Sequence, residues 1–469
     1  MRFDTVTFRR FLTAHLEKNR VPGAAVCIAG EEGTLFAEGF GFCNKALNQP
    51  VNTDTIFGIA SMSKSFTCLA ISLLEYEGKL SWDDPVIRYI PGFDLAGTPR
   101  EAVQLRHLAE HNSGMPLLPT LSWSLAWNTE VEEWTREKML KNRETAGSKV
   151  QTLEDILEYI KSGPIEVLGP PGRYTSYSND SYAILSSVVD VVAGEPLEDF
   201  VRRRIFEPLG MRRSTFDTDA AKAMGNITSL FTREGENLYC SDNWDVAPPF
   251  RGCGWIKSTA ADLSRYYLAL SRMGMSGDKQ VIPASCIERM VGPRYGLVPE
   301  GIYTLGFFKR SFGDNIVCDH SGGLTGVSSK GGFFYGKGFA GVILTNMSDV
   351  EVSSVLDAAF NLAVGAPLDY NRNQARPTGG QPSNPALYAG KYISHEGFDE
   401  PLQVSLDDKG ELCISNGQAS EALQFCGGNL FIPSGSGAVL SATTTLRFHV
   451  WQGVCPMVNV NSRIYQRAK

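Results

Sequence analysis

Phe57-Gly58-Ile59-Ala60-Ser61-Met62-Ser63-Lys64-Ser65-Phe66 is the stretch around which the chain is organised. From Ser61 to Glu75, apolar residues recur at Phe66, Leu69, Ala70, Leu73 and Leu74, a spacing that predicts a helix. On a helix, Ser61 and Lys64 share one face, with Cβ atoms roughly 5–6 Å apart. The hydroxyl also falls in the first turn, at the positive end of the helix dipole, where negative charge is favoured. An alcohol is a weak nucleophile until a neighbour takes its proton. A partly desolvated lysine one turn away serves to take it, or to hold another base in place. Ser-x-x-Lys on its own is a common string, and Ser276-Gly277-Asp278-Lys279 repeats it in a turn-like segment. The motif therefore needs partners elsewhere in the chain.

The 469 residues are 43% hydrophobic and 20% charged, ample for a core, and the length suggests two or three domains. A formal charge of −7 argues against nucleic acid or an anionic membrane as partner. Met1–Arg10 has no apolar core of the secretory kind, and no apolar run is long enough to span a bilayer, so a cytoplasmic protein is expected. The ten cysteines form no Cys-x-x-Cys pair, and the six histidines do not cluster with them. No metal or other cofactor is expected, and the thiols are expected to be reduced and buried. The sequons at Asn226 and Asn346 then carry no meaning.

Taken in order, residues 4–19 read as an amphipathic helix, and Ala24–Ala29 and Thr34–Gly41 as strands around Glu31-Glu32-Gly33. After the serine helix, residues 102–116 give a helix and a sharp turn, Glu110-His111-Asn112-Ser113-Gly114-Met115-Pro116. Within residues 117–148, Trp123, Trp127 and Trp134 fit one helical stripe. That stripe is either core or the wall of an acyl pocket. Helices are expected over 151–162, 182–192, 195–206 and 259–274, and a loop-rich stretch over 218–250. Strands follow at Thr304–Phe312, Asn315–Asp319, Lys330–Tyr335 and Phe339–Asn346, then a helix at Val350–Val364. Strands at both ends with helices between them predict an α+β unit, residues 1–365, whose termini share one sheet. Residues 366–384, rich in Pro, Gly, Asn and Gln, read as a linker. Residues 385–469 show short alternating runs at Gly390–Ile393, Leu402–Ser405, Leu412–Ser415, Ala422–Phe425, Leu430–Ile432, Thr445–Trp451 and Ile464–Gln466, the pattern of a small antiparallel β-barrel.

Two signals join Ser61 and Lys64. Tyr177-Ser178-Asn179 follows the rigid Gly169-Pro170-Pro171-Gly172 break and opens a helix, and His320-Ser321-Gly322-Gly323 follows a predicted strand. The small residues there suit pairing of a substrate backbone with a strand edge. His395-Glu396-Gly397 also reads His-x-Gly, but it lies in the C-terminal segment without a serine motif beside it. In this order and context, the set resembles the serine β-lactamase-like superfamily, in the branch of class C β-lactamases, family VIII carboxylesterases and penicillin-binding-protein-like peptidases. The match spans about residues 5–365. Leu108–Pro116 and Pro208-Leu209-Gly210-Met211 add to it. The C-terminal stretch resembles the lipocalin-like barrel appended to several such hydrolases.

The resemblance implies a β-lactamase/transpeptidase-like catalytic domain. Ser61 is then the nucleophile that becomes acylated. Lys64 and Tyr177 activate it, with the choice of base left open, since an adjacent ammonium favours a phenolate. Asn179 orients Lys64 and the acyl group, and the backbone N–H groups of Ser61 and Gly323 form the oxyanion hole. Gly322, Trp123 and Trp127 are expected to line the substrate site. His320 stands where β-lactamases and transpeptidases carry the lysine of Lys-Thr-Gly, which weakens recognition of a substrate carboxylate. The implied activity is a serine hydrolase or acyltransferase on an ester, thioester or amide, with carboxylesterase or transesterase foremost. The alternatives are a D-amino-acid peptidase, a cyclising thioesterase or a weak β-lactamase. A non-enzymatic scaffold is disfavoured by the intact Ser61, Lys64 and Tyr177. The expected partners are a small ester, thioester or peptide substrate and an acyl acceptor.

Overall fold

The computed structural model describes residues 3–44, 48–146, 149–292, 302–370, 375–397, 400–435, 437, 439–441 and 444–468. A sheet of eight antiparallel strands forms the middle layer. Its order is Ile302–Tyr303, Phe308–Phe312, Asn315–Leu324, Val327–Phe334, Phe339–Thr345, Gly23–Gly30, Gly33–Asn44, Gln49–Pro50. The N-terminal strand thus pairs with a strand more than 300 residues later, Ala24 opposite Thr345. The two ends of the α+β unit share one sheet, as its sequence predicts.

Gly23–Gly30 is buried on both faces. Its side chains alternate between two cores, because successive residues of a strand point to opposite faces. Ala25 and Cys27 join the large core around the serine helix. Ala24, Val26 and Ile28 join the core under helices Thr5–Lys18 and Ser353–Ala363. Phe339–Thr345 splits in the same way, with Val342 and Leu344 on one side and Phe339 and Ile343 on the other.

The serine helix runs over Ser63–Tyr76 and is buried at every position from Ser63 to Leu74. It is therefore a core helix rather than an amphipathic one. Phe66 stacks on Tyr266 at 4.0 Å and meets Phe206 edge-on. Ser61 lies just before this helix, in the 3-10 turn Ala60–Met62, so the expected helix over 61–75 begins two residues late. The expected strand over Asn315–Asp319 continues to Leu324 and carries His320–Gly323 within it. The helix expected within 102–116 is short, Leu105–Ala109, and the loop-rich stretch 218–250 contains a hairpin, Leu230–Glu234 with Asn237–Ser241.

The tryptophans do not form one stripe. Trp123 and Trp127 lie on helix Thr120–Asn128, which ends before Trp134, and Trp134 sits in a separate 3-10 turn, Glu133–Thr135. Residues 129–132 hold no Gly or Pro to signal that break in the sequence.

At the C-terminus, eight strands close into an antiparallel barrel. They are Gly390–Ile393, Leu402–Leu406, Leu412–Ser415, Ser420–Gly427, Leu430–Pro433, Leu446–Trp451, Val454–Val460 and Arg463–Arg467, with Tyr392 opposite Arg467 at the closure. Val454–Val460 escapes the sequence pattern because Pro456 interrupts it, and proline inside a run argues against a strand. The described part of 366–384 carries no strand or α-helix, and residues 371–374 of the expected linker lie outside the described residues. The barrel docks on the α+β unit through the segment ahead of Tyr177. Tyr177 N–H donates to Ser462 O at 2.8 Å, Ile464 N–H to Ser176 Oγ at 3.3 Å and Asn459 Nδ2 to Thr175 O at 3.1 Å. Leu168 packs with Met457 and Ile464 beneath these bonds. All ten cysteines are free thiols, seven of them buried and Cys240 exposed. No described helix is long and apolar enough to cross a membrane.

Candidate active site

Lys64 is fully buried. Its Nζ is 3.0 Å from Ser61 Oγ, 2.9 Å from Asn179 Oδ1 and 2.9 Å from the carbonyl oxygen of Cys253. An amide oxygen and a carbonyl only accept hydrogen bonds. Two of the nitrogen's N–H bonds are therefore committed to Asn179 and Cys253. The remaining tetrahedral direction faces Ser61 Oγ, as a third N–H in the ammonium or as the lone pair in the neutral amine. The second case is the geometry of a base aimed at the serine proton. The Cys253 carbonyl comes from the short helix Arg251–Gly254, held against the serine helix by the bond from Thr67 Oγ1 to Gly252 O at 2.7 Å.

Ser61 is half-buried. The residue before it, Ala60, has φ of +45°, a left-handed conformation that a non-glycine residue adopts at a cost. The strand Asn315–Leu324 crosses directly over this turn. A Cβ on Gly322 would lie 2.2 Å from Ile59 O, so only glycine fits there. Ser329 Oγ, on the next strand, donates to the same Ile59 oxygen at 3.0 Å. Gly323 opposes Ser328, and a Cβ there would meet nothing within 4 Å, so space is open beside its backbone. Among the described residues, the His320–Leu324 half of the strand is paired on one side only, because its other neighbour runs out at Phe308 opposite Asp319.

Tyr177 is buried and presents its ring to Lys64, whose Nζ is 4.8 Å from the ring centroid. An ammonium over an aromatic face is attracted by the ring quadrupole. His111 packs on Tyr177 at 4.2 Å and on Tyr303 at 4.3 Å. Its Nδ1 accepts from Ser178 N–H at 3.1 Å. Burial first, and then the Lys64 charge, hold His111 well below its ordinary pKa. His320 is equally enclosed. Its Nε2 is 2.9 Å from Tyr303 Oη and its Nδ1 faces Ser321 O. Burial, followed by Lys64, pushes its pKa down to about 3. The imidazole is therefore neutral. Since a carbonyl can only accept, the partners assign the proton to Nδ1, and Nε2 accepts from the Tyr303 hydroxyl.

Asn179 is the first residue of helix Asn179–Ala193, whose N-cap Ser178 accepts from Ser181 N–H. That start turns the amide inward, with Oδ1 to Lys64 and Nδ2 to Glu396 Oε1 at 3.3 Å. Glu396 comes from the barrel, is 3% exposed and receives Arg463 Nε at 2.7 Å. The Arg463 guanidinium also lies 4.9 Å from the Tyr177 ring centroid, on the barrel side. Next in chain, Asp180 is buried and bonded by Thr120 Oγ1. Burial raises its pKa to about 7, with the Glu396 charge adding to the effect against the Thr120 bond.

Ser61, Lys64, Tyr177, Asn179, His320, Gly322 and the open side of Gly323 are thus gathered in one place. The tryptophans make their ring contacts elsewhere. Trp123 packs edge-on against Tyr159. Trp127 carries Arg143 and Lys149 each 5.4 Å from its ring centroid, and Trp134 stacks on Tyr239. His111, Tyr303, Glu396 and Arg463 join the cluster without having been singled out in the sequence. His111 lies inside the Glu110–Pro116 turn and Glu396 inside the His-x-Gly string set aside above; for Tyr303 and Arg463 the sequence carries no signal.

Residues 8–366 match the family model described as Beta-lactamase. Among curated proteins, Penicillin-binding protein 4* of Bacillus subtilis (strain 168) is 26% identical over 366 residues, covering 75% of this chain and 74% of that protein. Esterase EstB of Burkholderia gladioli is 28% identical over 203 residues, covering 43% of this chain and 48% of its own length. Among solved structures, that of SurE superimposes with a TM-score of 0.72 at 19% identity and covers 98% of both chains. At that identity the likeness is one of fold.

Proposed function

Because the chain belongs to the beta-lactamase family of serine hydrolases, we propose that it is an esterase or transesterase whose Ser61 is acylated by an ester or thioester and then discharged to water or an alcohol. In this reading Ser61 Oγ attacks the carbonyl carbon, and its proton passes to Lys64 Nζ, the group 3.0 Å away. The oxyanion forms against the N–H groups of Ser61 and Gly323, a contribution of roughly 3–4 kcal/mol per donor in other enzymes. The proton returns to the leaving alkoxide or thiolate as the carbonyl re-forms. In this reading the Tyr177 hydroxyl relays it, giving its own proton to the leaving group and taking one from Lys64, whose Nζ lies 4.8 Å from its ring centroid. The second half-reaction repeats these steps with the acceptor hydroxyl.

One observation carries the choice of substrate: the His320 imidazole is buried with both ring nitrogens engaged, by Tyr303 Oη and Ser321 O, and burial pushes its pKa down to about 3. A penicillin-type substrate presents a carboxylate beside the reacting amide. A fixed cation opposite it contributes a charge-assisted bond of about twice the ordinary strength. Here that position offers a neutral imidazole already engaged by Tyr303 and Ser321. The permanent cation on the barrel side, Arg463, is paired with Glu396. Esters and thioesters need no such anchor, and their leaving groups depart more readily than an amide nitrogen. The similarity to an esterase over 203 residues is consistent with this reading. The test compares kcat/KM for p-nitrophenyl butyrate, nitrocefin and D-alanine p-nitroanilide. The ester is expected to lead by at least about a hundredfold, roughly 2.8 kcal/mol of barrier. A lead for the anilide or for nitrocefin overturns the proposal.

A further inference from the structure

We infer that the C-terminal barrel is part of the catalytic apparatus, and that Glu396 is a positioning residue that sets the orientation of the Asn179 amide and, through it, of Lys64. The inference rests on Ser61 being the nucleophile that Lys64 serves.

A carboxamide can be turned by 180° with little change in shape, exchanging its acceptor oxygen and donor nitrogen. Only its neighbours decide which way it faces. Asn179 must put oxygen toward Lys64, because the wrong orientation sets two donors against each other. Glu396 enforces this. An ionised carboxylate only accepts, so the edge of Asn179 that faces Glu396 Oε1 must be Nδ2, which fixes Oδ1 on Lys64. Arg463 bonds the other carboxylate oxygen at 2.7 Å, which holds the group in place and aims it at Asn179. The result is one line of bonds, Arg463 to Glu396 to Asn179 to Lys64 to Ser61. It begins on the last strand of the barrel and ends at the candidate nucleophile.

The backbone repeats the connection. Ser462, next to Arg463, accepts from the N–H of Tyr177, two residues ahead of Asn179. The barrel therefore grips the Tyr-x-Asn segment by its main chain and by its asparagine. Nothing within the catalytic unit replaces Glu396 at Asn179 Nδ2 among the described residues.

The experiment measures the rate at which an alkyl fluorophosphonate labels Ser61 in the full-length protein, which requires no knowledge of the natural substrate. Glu396→Ala is expected to slow labelling by about 30–100-fold, the scale of a small misplacement of a catalytic group. Glu396→Gln keeps the volume but has one acceptor oxygen where the carboxylate has two; with that oxygen on Arg463 its NH2 faces Asn179, so labelling is expected to slow by at least about tenfold. With p-nitrophenyl butyrate the loss is expected in kcat, with KM nearly unchanged. Asn179→Ala should absorb the effect, so that adding Glu396→Ala costs less than about twofold more. Arg463 is 37% exposed and hydrates when its partner is removed, so folding is expected to survive. Circular dichroism and melting temperature check this, and Glu396→Gln supplies the comparison should the alanine variant not fold. Labelling of Glu396→Ala at the unsubstituted rate overturns the inference, as does a multiplicative double variant or a change confined to KM. Failure of the unsubstituted protein to label at Ser61 overturns the proposed function first, and this inference with it.

Discussion

Lys64 Nζ and Ser61 Oγ are 3.0 Å apart, and the other two directions of that nitrogen are taken by groups that can only accept. In the neutral amine the lone pair therefore faces the serine, placed to receive its proton. Ser61 is therefore expected to be the residue labelled by an alkyl fluorophosphonate, and Ser61→Ala to abolish labelling and turnover. Lys64→Met, which fills the same volume without the nitrogen, is expected to lower the labelling rate by roughly 10³-fold or more, within the range for loss of an activating base. Peptide mapping of the labelled protein checks both, and a label on Ser276 or Ser321 counts against the assignment.

Tyr177 offers Lys64 its ring face, so Tyr177→Phe keeps the packing and the cation–π contact and removes only the hydroxyl. Its melting temperature is expected to match that of the unsubstituted protein, while acylation falls by about two orders of magnitude. Stopped-flow measurement of the ester burst checks this. A normal burst removes the hydroxyl from proton transfer.

His320 stays neutral in the folded protein down to about pH 3, while in the unfolded chain an imidazole takes up its proton near pH 6.5. As pH falls below that value, the unfolded state binds the extra proton. The histidine's contribution to stability is thus complete above about pH 6.5 and is lost as pH falls toward 3. His320→Gln cannot titrate. The melting temperature of the unsubstituted protein, relative to that of His320→Gln, is expected to drop between about pH 7.5 and pH 4.5. The activity profile should carry no inflection near pH 6 that the substitution removes.

Placing a cation on the same strand should restore an anchor for a substrate carboxylate. His320→Lys is expected to narrow the ester-to-nitrocefin ratio in kcat/KM by about tenfold, the worth of one charge-assisted bond. Parallel assays with the two substrates check this, and an unchanged ratio places the determinant elsewhere.

The segment 366–384 is expected to be the first cut by a protease at low dose, separating residues 1–365 from the barrel. The barrel is held by main-chain and apolar contacts at Ser176 and Tyr177. The nicked protein is therefore expected to elute as one species in size-exclusion chromatography and still to react at Ser61. Dissociation with full retention of labelling contradicts the role given to the seam.

Much of this was legible in the chain because it is local. Ser61 and Lys64 are a turn apart, and Tyr177 stands two residues ahead of Asn179, which opens a helix downstream of the Gly169–Gly172 break. Each barrel strand announces itself by alternation, save the one that Pro456 disguises. What the sequence hid is what the fold brings together from afar. Asn179 and Glu396 are 217 residues apart. Glu396 sits in a string that resembles the His320 motif and was set aside because it belongs to the barrel. No local pattern says that a barrel's loop will enter another unit's core. The tryptophan stripe fails for a different reason. Helical spacing can be read across a break when the residues that make it, Thr129 to Glu132, are not helix breakers.

The central sheet has a further consequence, for the birth of the molecule. Gly23–Gly30 is buried on both faces, yet one neighbour, Phe339–Thr345, is specified far downstream. At about 5–20 residues per second, a ribosome needs roughly 15–60 s to make the intervening 300 or so residues. Throughout that interval the first hairpin waits on the nascent chain with one unsatisfied edge and two apolar faces to be covered. The helix Thr5–Lys18 covers one of those faces early. The other stays bare until the serine helix and its neighbours gather, and the edge stays open until residue 345 arrives. The strand that everything later is built against is thus among the first made and the last to be sealed.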